Sequence, residues 1–190
     1  MGVNTRQPPA AVDWAGFDAV LFDLDGVVTP TAEVHMRAWA EMFNEFLAAY
    51  AAGTVAGPPE AGADTSPYTD ADYFAHVDGK PRYDGVRDFL LARGIHLPEG
   101  TSDDAPDQMT VRGLGNRKND AFNVVLARDG VVAYPGSVAL LDHLRGLGLP
   151  LAGVSSSANA TSVLAAAGLA DRFATVVDGR VARRADAPAH

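Results

Sequence analysis

Asp23 and Asp25 are the residues through which this chain could do chemistry. They stand in the run Ala19-Val20-Leu21-Phe22-Asp23-Leu24-Asp25-Gly26-Val27-Val28-Thr29. Alternation along an extended strand turns both carboxylates to the same side. Two like charges that close are costly unless a cation sits between them or one carboxyl keeps its proton. The pair suits a carboxylate nucleophile beside a carboxyl acid/base. Gly26 allows a sharp turn where a side chain would block a ligand. Asp-x-Asp-Gly also opens calcium loops, but such a loop needs Glu at its twelfth position, which counted from Asp23 is Val34.

A second group follows the apolar run Leu149 to Val154, in Ser155-Ser156-Ser157-Ala158-Asn159. Small hydroxyl residues at a strand end, with backbone N–H groups leading into a helix, suit phosphate oxygens. Ser155, Ser156 and Asn159 are the candidate phosphate ligands, against the plainer reading of a Ser-rich helix cap. Two basic groups lie between these stretches. One is Asp78-Gly79-Lys80-Pro81-Arg82, whose Arg82 can grip a phosphate bidentately. The other is Arg117-Lys118-Asn119-Asp120, which also reads as a solvated helix start.

These residues need elements to hold them. Ala19 to Phe22 fits a buried strand of a parallel sheet, with its site at the carboxyl end. Thr31 to Tyr50 reads as a helix, because Trp39, Met42, Phe43, Phe46, Leu47 and Tyr50 recur at steps of three and four. Tyr83 to Arg93, ending at Gly94, and Asn119 to Arg128 read as further helices. Residues 51–68 and 97–108 read as loops, the first as a mobile one. Tyr134-Pro135-Gly136 opens a helix with Leu140, Leu141, Leu144 and Leu147 on one face. A strand over Leu149–Val154, a helix over Ser162–Ala167 and a strand over Phe173–Val177 complete a strand–helix–strand pattern, which predicts a parallel sheet.

The 190 residues carry a net charge of −9, which argues against nucleic acid or an anionic membrane as partner. No cysteine is present, so there is no disulfide framework and no thiolate metal site. No apolar run approaches the roughly 20 residues of a membrane span. Met1 to Ala10 lacks the apolar core of a signal peptide, and a cytoplasmic location is the expectation.

The stretch around Asp23 resembles the first motif of the haloacid dehalogenase superfamily of phosphotransferases. The resemblance implies an α/β fold, with a Rossmann-like parallel-sheet core and an inserted α-helical cap. It implies that Asp23 takes up the phosphoryl group as an aspartyl phosphate and that Asp25 is the general acid/base. Both would serve a Mg²⁺ site, Asp25 through its backbone carbonyl. Ser155 matches the superfamily's second motif. Thr31-Ala32-Glu33-Val34-His35 looks like the start of the cap in the β-phosphoglucomutase branch, where Thr31 matches a hinge position and His35 an active-site position. The Gly79–Arg82 loop is similar to one whose Arg holds the substrate's far phosphate, and Lys118 and Asn119 match residues that touch the sugar phosphate. The expected organisation is a core of residues 17–31 and 132–190, a cap of residues 32–131 and a loose arm of residues 1–16. The expected activity is Mg²⁺-dependent phosphotransfer on a small sugar phosphate. The alternatives are a sugar-phosphate phosphatase of the same fold and a catalytically impaired phosphosugar-binding remnant.

The sequence also departs from the pattern. Pro30 stands where the branch often has an acid, Asp78 and Lys80 sit differently around the glycine, and the cap loops are longer. The superfamily uses a lysine after the third strand and an acidic loop after a fourth. The two lysines here, Lys80 and Lys118, both lie in the insert. Arg183 and Arg184 are the available substitutes. A shortened, frame-shifted or degenerate copy is therefore expected, with an uncovered sheet face, poor stability or self-association through the exposed sheet edge, weak Mg²⁺ binding and little or no turnover of sugar phosphate.

Overall fold

The computed structural model describes residues 12–179 and residue 181. Arg183 and Arg184 lie outside the described residues, as does most of the expected N-terminal arm. The described end of that arm makes a 3₁₀ turn at Trp14–Gly16.

Three parallel strands form one sheet, in the order β1 (Val20–Asp23), β2 (Leu151–Val154), β3 (Thr175–Val177). Val20 pairs with Leu151 and Asp23 with Val154, while Val154 also pairs with Val177. Helix α5 (Pro135–Gly146) leads into β2, and α6 (Ala160–Ala166) joins β2 to β3. Phe22, Leu24, Leu141, Leu144, Leu151, Leu164 and Phe173 make the core of this unit. Gly153 lies where a Cβ would press on the Leu24 side chain at 3.2 Å.

All of that core lies on one face of the sheet. The alternate residues face outward, leaving Leu21 71% exposed and Val154 and Val177 40% exposed each. Parallel sheets are ordinarily covered on both faces. Among the described residues β1 has a strand on only one side. The apolar face expected on α5 divides too: Leu141 and Leu144 are fully buried, whereas Leu140 and Leu147 are exposed.

Between β1 and β2 runs a helical insert. It comprises α1 (Thr31–Ala51), the short α2 (Asp70–Asp72) running on as a π-helical turn (Tyr73–Val77), α3 (Arg82–Ala92) and α4 (Val111–Asp129). The predicted stripe of α1 is buried, and Trp39, Phe43, Phe46, Phe89, Ile95 and Leu114 form a core separate from that of the sheet. A smaller cluster joins the two: Val34 and Ala38 of α1 and Phe122, Val125 and Leu126 of α4 meet Val163 of α6. No helix of the described residues is long and apolar enough to cross a membrane.

Two expectations need correction. Helix α4 begins at Val111, eight residues before the predicted start at Asn119. Gly113 and Gly115 hide it, since glycine weakens a helical pattern. Both are there for close approach: a Cβ on Gly115 would lie 2.5 Å from the Tyr83 ring, and one on Gly113 would strike the Gln108 carbonyl. Thr110 caps the helix through Oγ1, which accepts the Gly113 N–H at 2.9 Å. The 51–68 loop, expected to be structureless and mobile, is held by side chains at its far end. Buried Arg93 donates to Ser66 and pairs with Asp64 and Asp72, and Asn44 Oδ1 accepts the Tyr68 N–H at 2.8 Å.

Candidate active site

The turn after β1 is built from the backbone. The N–H groups of Val28 and Thr29 return to the Leu24 carbonyl, and Gly26 N–H reaches the Thr29 carbonyl at 2.8 Å. Gly26 adopts φ +77°, which residues with a Cβ rarely do. The chain thus leaves the sheet at Asp23 and enters α1 at Thr31 with Asp25 between them.

Asp25 is gripped from both sides. Thr31, fully buried at the first turn of α1, donates its hydroxyl to Asp25 Oδ1 at 2.5 Å. Ser155, at the end of β2, donates its hydroxyl to Asp25 Oδ2 at 2.8 Å. The carboxyl therefore links the insert to the loop after β2. Asp23 is exposed at the end of β1.

The Ser155–Asn159 loop is held by its own side chains. Ser155 N–H completes the sheet by donating to the Val177 carbonyl at 3.0 Å. Ser155 Oγ accepts Ser157 N–H, and Ser157 Oγ accepts Asn159 N–H. Asn159, 5% exposed, donates through Nδ2 to Asn119 Oδ1 on α4 at 3.1 Å, while its own Oδ1 is buried without a partner. Ser156 is exposed on the loop.

On the insert, Lys118 is 4% exposed in the middle of α4, not at a solvated helix start. Its Nζ lies 2.6 Å from His35 Nδ1 and 5.1 Å from the ring centroids of both Trp39 and Phe122. Burial, then the positive charge of Arg82, brings the Lys118 ammonium down to about 7, and Asp25 pulls the other way. Burial, Lys118 and Arg82 together bring His35 down to about 3, so the ring is neutral and can accept from the lysine. Arg82 donates to the Gly115 carbonyl at 3.4 Å and lies over the Tyr83 ring.

The predicted residues thus fall into three contacting sets: Asp25 with Thr31 and Ser155, Asn119 with Asn159, and Lys118 with His35; Arg82 acts on the last pair through its charge. Gly79 is apart from these, in an exposed turn with φ +70° before α3. The sequence reading missed Ser157, which braces Ser155, although the triple-serine run was its signal. It also passed over Trp39 and Phe122 as a floor for Lys118, since both read simply as core.

A hard divalent cation fits this donor set. Asp23 and Asp25 bring oxygen ligands to one strand end, and Mg²⁺ commonly takes one or two carboxylates with water and substrate phosphate. Among the described residues no group of three or more His, Cys, Asp or Glu side chains gathers to form a closed protein cage.

Comparison with known proteins bears on the family and the fold. Residues 17–188 match the haloacid dehalogenase-like hydrolase family. A β-phosphoglucomutase of Mycobacterium tuberculosis is 48% identical over 156 residues, which is 82% of this chain and 56% of that protein. The chain thus spans little more than half that relative's length. A far longer uncharacterized glycosyl hydrolase of the same species is 37% identical over 187 residues, 98% of this chain and 13% of its own. Among solved structures, β-phosphoglucomutase from Clostridium difficile superposes with a TM-score of 0.59 at 21% identity, covering 86% of this chain and 62% of its own. CbbY from Rhodobacter sphaeroides, in complex with xylulose-(1,5)bisphosphate, gives a TM-score of 0.59 at 21% identity, covering 86% of this chain and 64% of its own. By sequence match and by fold, the chain belongs to the haloacid dehalogenase-like hydrolase family.

Proposed function

We propose that this protein is a Mg²⁺-dependent phosphotransferase acting on a sugar phosphate through an aspartyl phosphate, of the β-phosphoglucomutase type. The observation that carries the reading is the division of labour at the end of β1: Asp23 is exposed, while Asp25 is held on both oxygens by Thr31 and Ser155. A nucleophile must be reachable, and an acid/base must be oriented. The 48% identity to a mycobacterial β-phosphoglucomutase supports the substrate class.

In this reading a carboxylate oxygen of Asp23 attacks phosphorus in line. The bond from phosphorus to the sugar oxygen breaks, its electron pair stays on that oxygen, and Asp25 supplies the proton. The second half runs in reverse, with Asp25 taking a proton from the incoming hydroxyl. Asp23 and the Asp25 backbone carbonyl would hold Mg²⁺, which when bound neutralises charge on the transferring group. Ser155 and Ser156 hold phosphate oxygens. The insert, residues 32–131, acts as a cap whose Arg82, Lys118 and Asn119 bind the far end of the substrate and keep water out.

The cationic pair Arg82 and Lys118 on the insert favours a mutase over a phosphatase, because a mutase must hold a second phosphate while the first is transferred. The test is conversion of β-glucose 1-phosphate to glucose 6-phosphate, measured beside release of inorganic phosphate. Isomerisation outpacing release supports the mutase. Release without isomerisation makes the protein a phosphatase, and neither activity leaves a phosphosugar-binding protein.

A further inference from the structure

Ser155 has one hydroxyl proton and two claimants for it. In the structure the proton goes to Asp25 Oδ2 at 2.8 Å. The backbone N–H of Ser155 donates to the Val177 carbonyl and is not available to a ligand. Its Oγ already accepts Ser157 N–H at 3.0 Å, which fixes the hydroxyl oxygen in place. The residue is 7% exposed, so solvent cannot readily stand in for either partner. A phosphate dianion offers only acceptors, so Ser155 can bind one only with the same hydroxyl proton that it gives to Asp25.

We propose that Ser155 is a positioning residue that exchanges partners: a phosphate oxygen and Asp25 Oδ2 compete for its hydroxyl, so seating a phosphoryl group releases the acid/base. This rests on the phosphate-site reading of residues 155–159 and adds an order of events to it. Thr31 holds Oδ1 at 2.5 Å independently of Ser155, which leaves Asp25 anchored when Oδ2 is released. Rotation of a single hydroxyl suffices, since Ser157 N–H and the sheet hold the rest of Ser155 fixed. The consequence is selectivity: Asp25 is free to exchange protons with a sugar oxygen once phosphate occupies the loop, and is covered otherwise. Uncovering an acid/base without substrate would invite proton exchange with water, which the exchange at Ser155 suppresses.

The test uses the whole chain with its aspartate side-chain carboxyl carbons labelled with ¹³C, and inorganic phosphate as the probe at fixed pH. The Asp25 signal is assigned by its loss in Asp25→Asn. Saturation with phosphate is followed on the Ser156 and Asn159 amides. In the unmodified protein phosphate shifts the Asp25 carboxyl signal. In Ser155→Ala that signal already lies displaced in the same direction before phosphate is added, and phosphate moves it about threefold less, since the bond to a charged group has gone. Ser155→Thr keeps a hydroxyl and restores the response, which a merely structural role for Ser155 would not require. If the alanine variant fails to fold, Ser155→Cys, nearly the same shape with a weak donor, replaces it and gives the same reduced response. A full response in folded Ser155→Ala overturns the proposal. Phosphate that shifts the loop amides of the unmodified protein and leaves Asp25 still also overturns it while the phosphate site stands. No shift at any of these groups overturns both.

Discussion

Lys118 Nζ lies 2.6 Å from His35 Nδ1, between the rings of Trp39 and Phe122, with 4% of the lysine exposed. The folded state holds both groups below their ordinary values, His35 at about 3 and Lys118 at about 7, burial being the largest cause for each. The unfolded chain therefore binds more protons than the folded one, and stability rises with pH wherever that is so. For His35 the gain accrues as pH rises from about 3 to its ordinary 6.5. For Lys118 it accrues from about 7 to its ordinary 10.5. The melting temperature should therefore climb from pH 7 to pH 10 along the Lys118 window, and Lys118→Met should flatten that climb. Differential scanning calorimetry across the range checks both. A bound phosphosugar should oppose the shift by placing an anion near the ammonium, raising the lysine's value.

If the insert holds a second phosphate as proposed, Arg82 is the residue whose loss should show it. Arg82→Ala should impair turnover of β-glucose 1-phosphate far more than hydrolysis of a small activated phosphate. The expected loss is roughly 1.5–3 kcal/mol per hydrogen bond to a charged group. Steady-state kinetics on the two substrates measure the difference, and equal losses would point instead to a folding defect.

Among the described residues, Leu21, Val154 and Val177 give the sheet an exposed apolar face beside an edge of β1 that has no neighbouring strand. Such a surface favours association. Sizing chromatography should show a concentration-dependent increase in size. Leu21→Lys should reduce it while shifting the melting temperature little, since the side chain is already 71% exposed. Undiminished association in that variant would place the contact elsewhere.

Gly115→Ala should destabilise the insert. A Cβ there meets the Tyr83 ring at 2.5 Å, and overpacking of this kind costs about 1–3 kcal/mol. Urea unfolding of the variant measures it. Tyr83→Leu in the same background should recover part of the loss by making room.

Those glycines also show where the sequence stops being legible. The strands, α1 and the Asp-x-Asp-Gly turn could be read because each carries a local pattern: an apolar run ending in acid, a stripe at steps of three and four, a glycine directly after the second acid. The start of α4 could not, because Gly113 and Gly115 answer to Gln108 and Tyr83, partners brought together only by folding. Arg93 was equally silent: its role in holding the loop after α1 depends on Asp64, Ser66 and Asp72, and no spacing announces it. At the site, Asp23, Asp25 and Ser155 could be named from residue type at a strand end. That Thr31 and Ser155 would take opposite oxygens of one carboxyl could not, because it depends on how β2 lies against β1.

If the proposed mechanism holds, Asp23 carries the phosphoryl group between the two half-reactions. The chain is incubated with Mg²⁺ and a small reactive phosphoryl donor, quenched, and its peptides are weighed by mass spectrometry. One phosphoryl group is expected on the peptide that contains Asp23. None is expected in Asp23→Asn, whose amide cannot form an acyl phosphate. Asp25→Asn should label more slowly but detectably. A label that persists at full level in Asp23→Asn, or that maps to another residue, would contradict the mechanism.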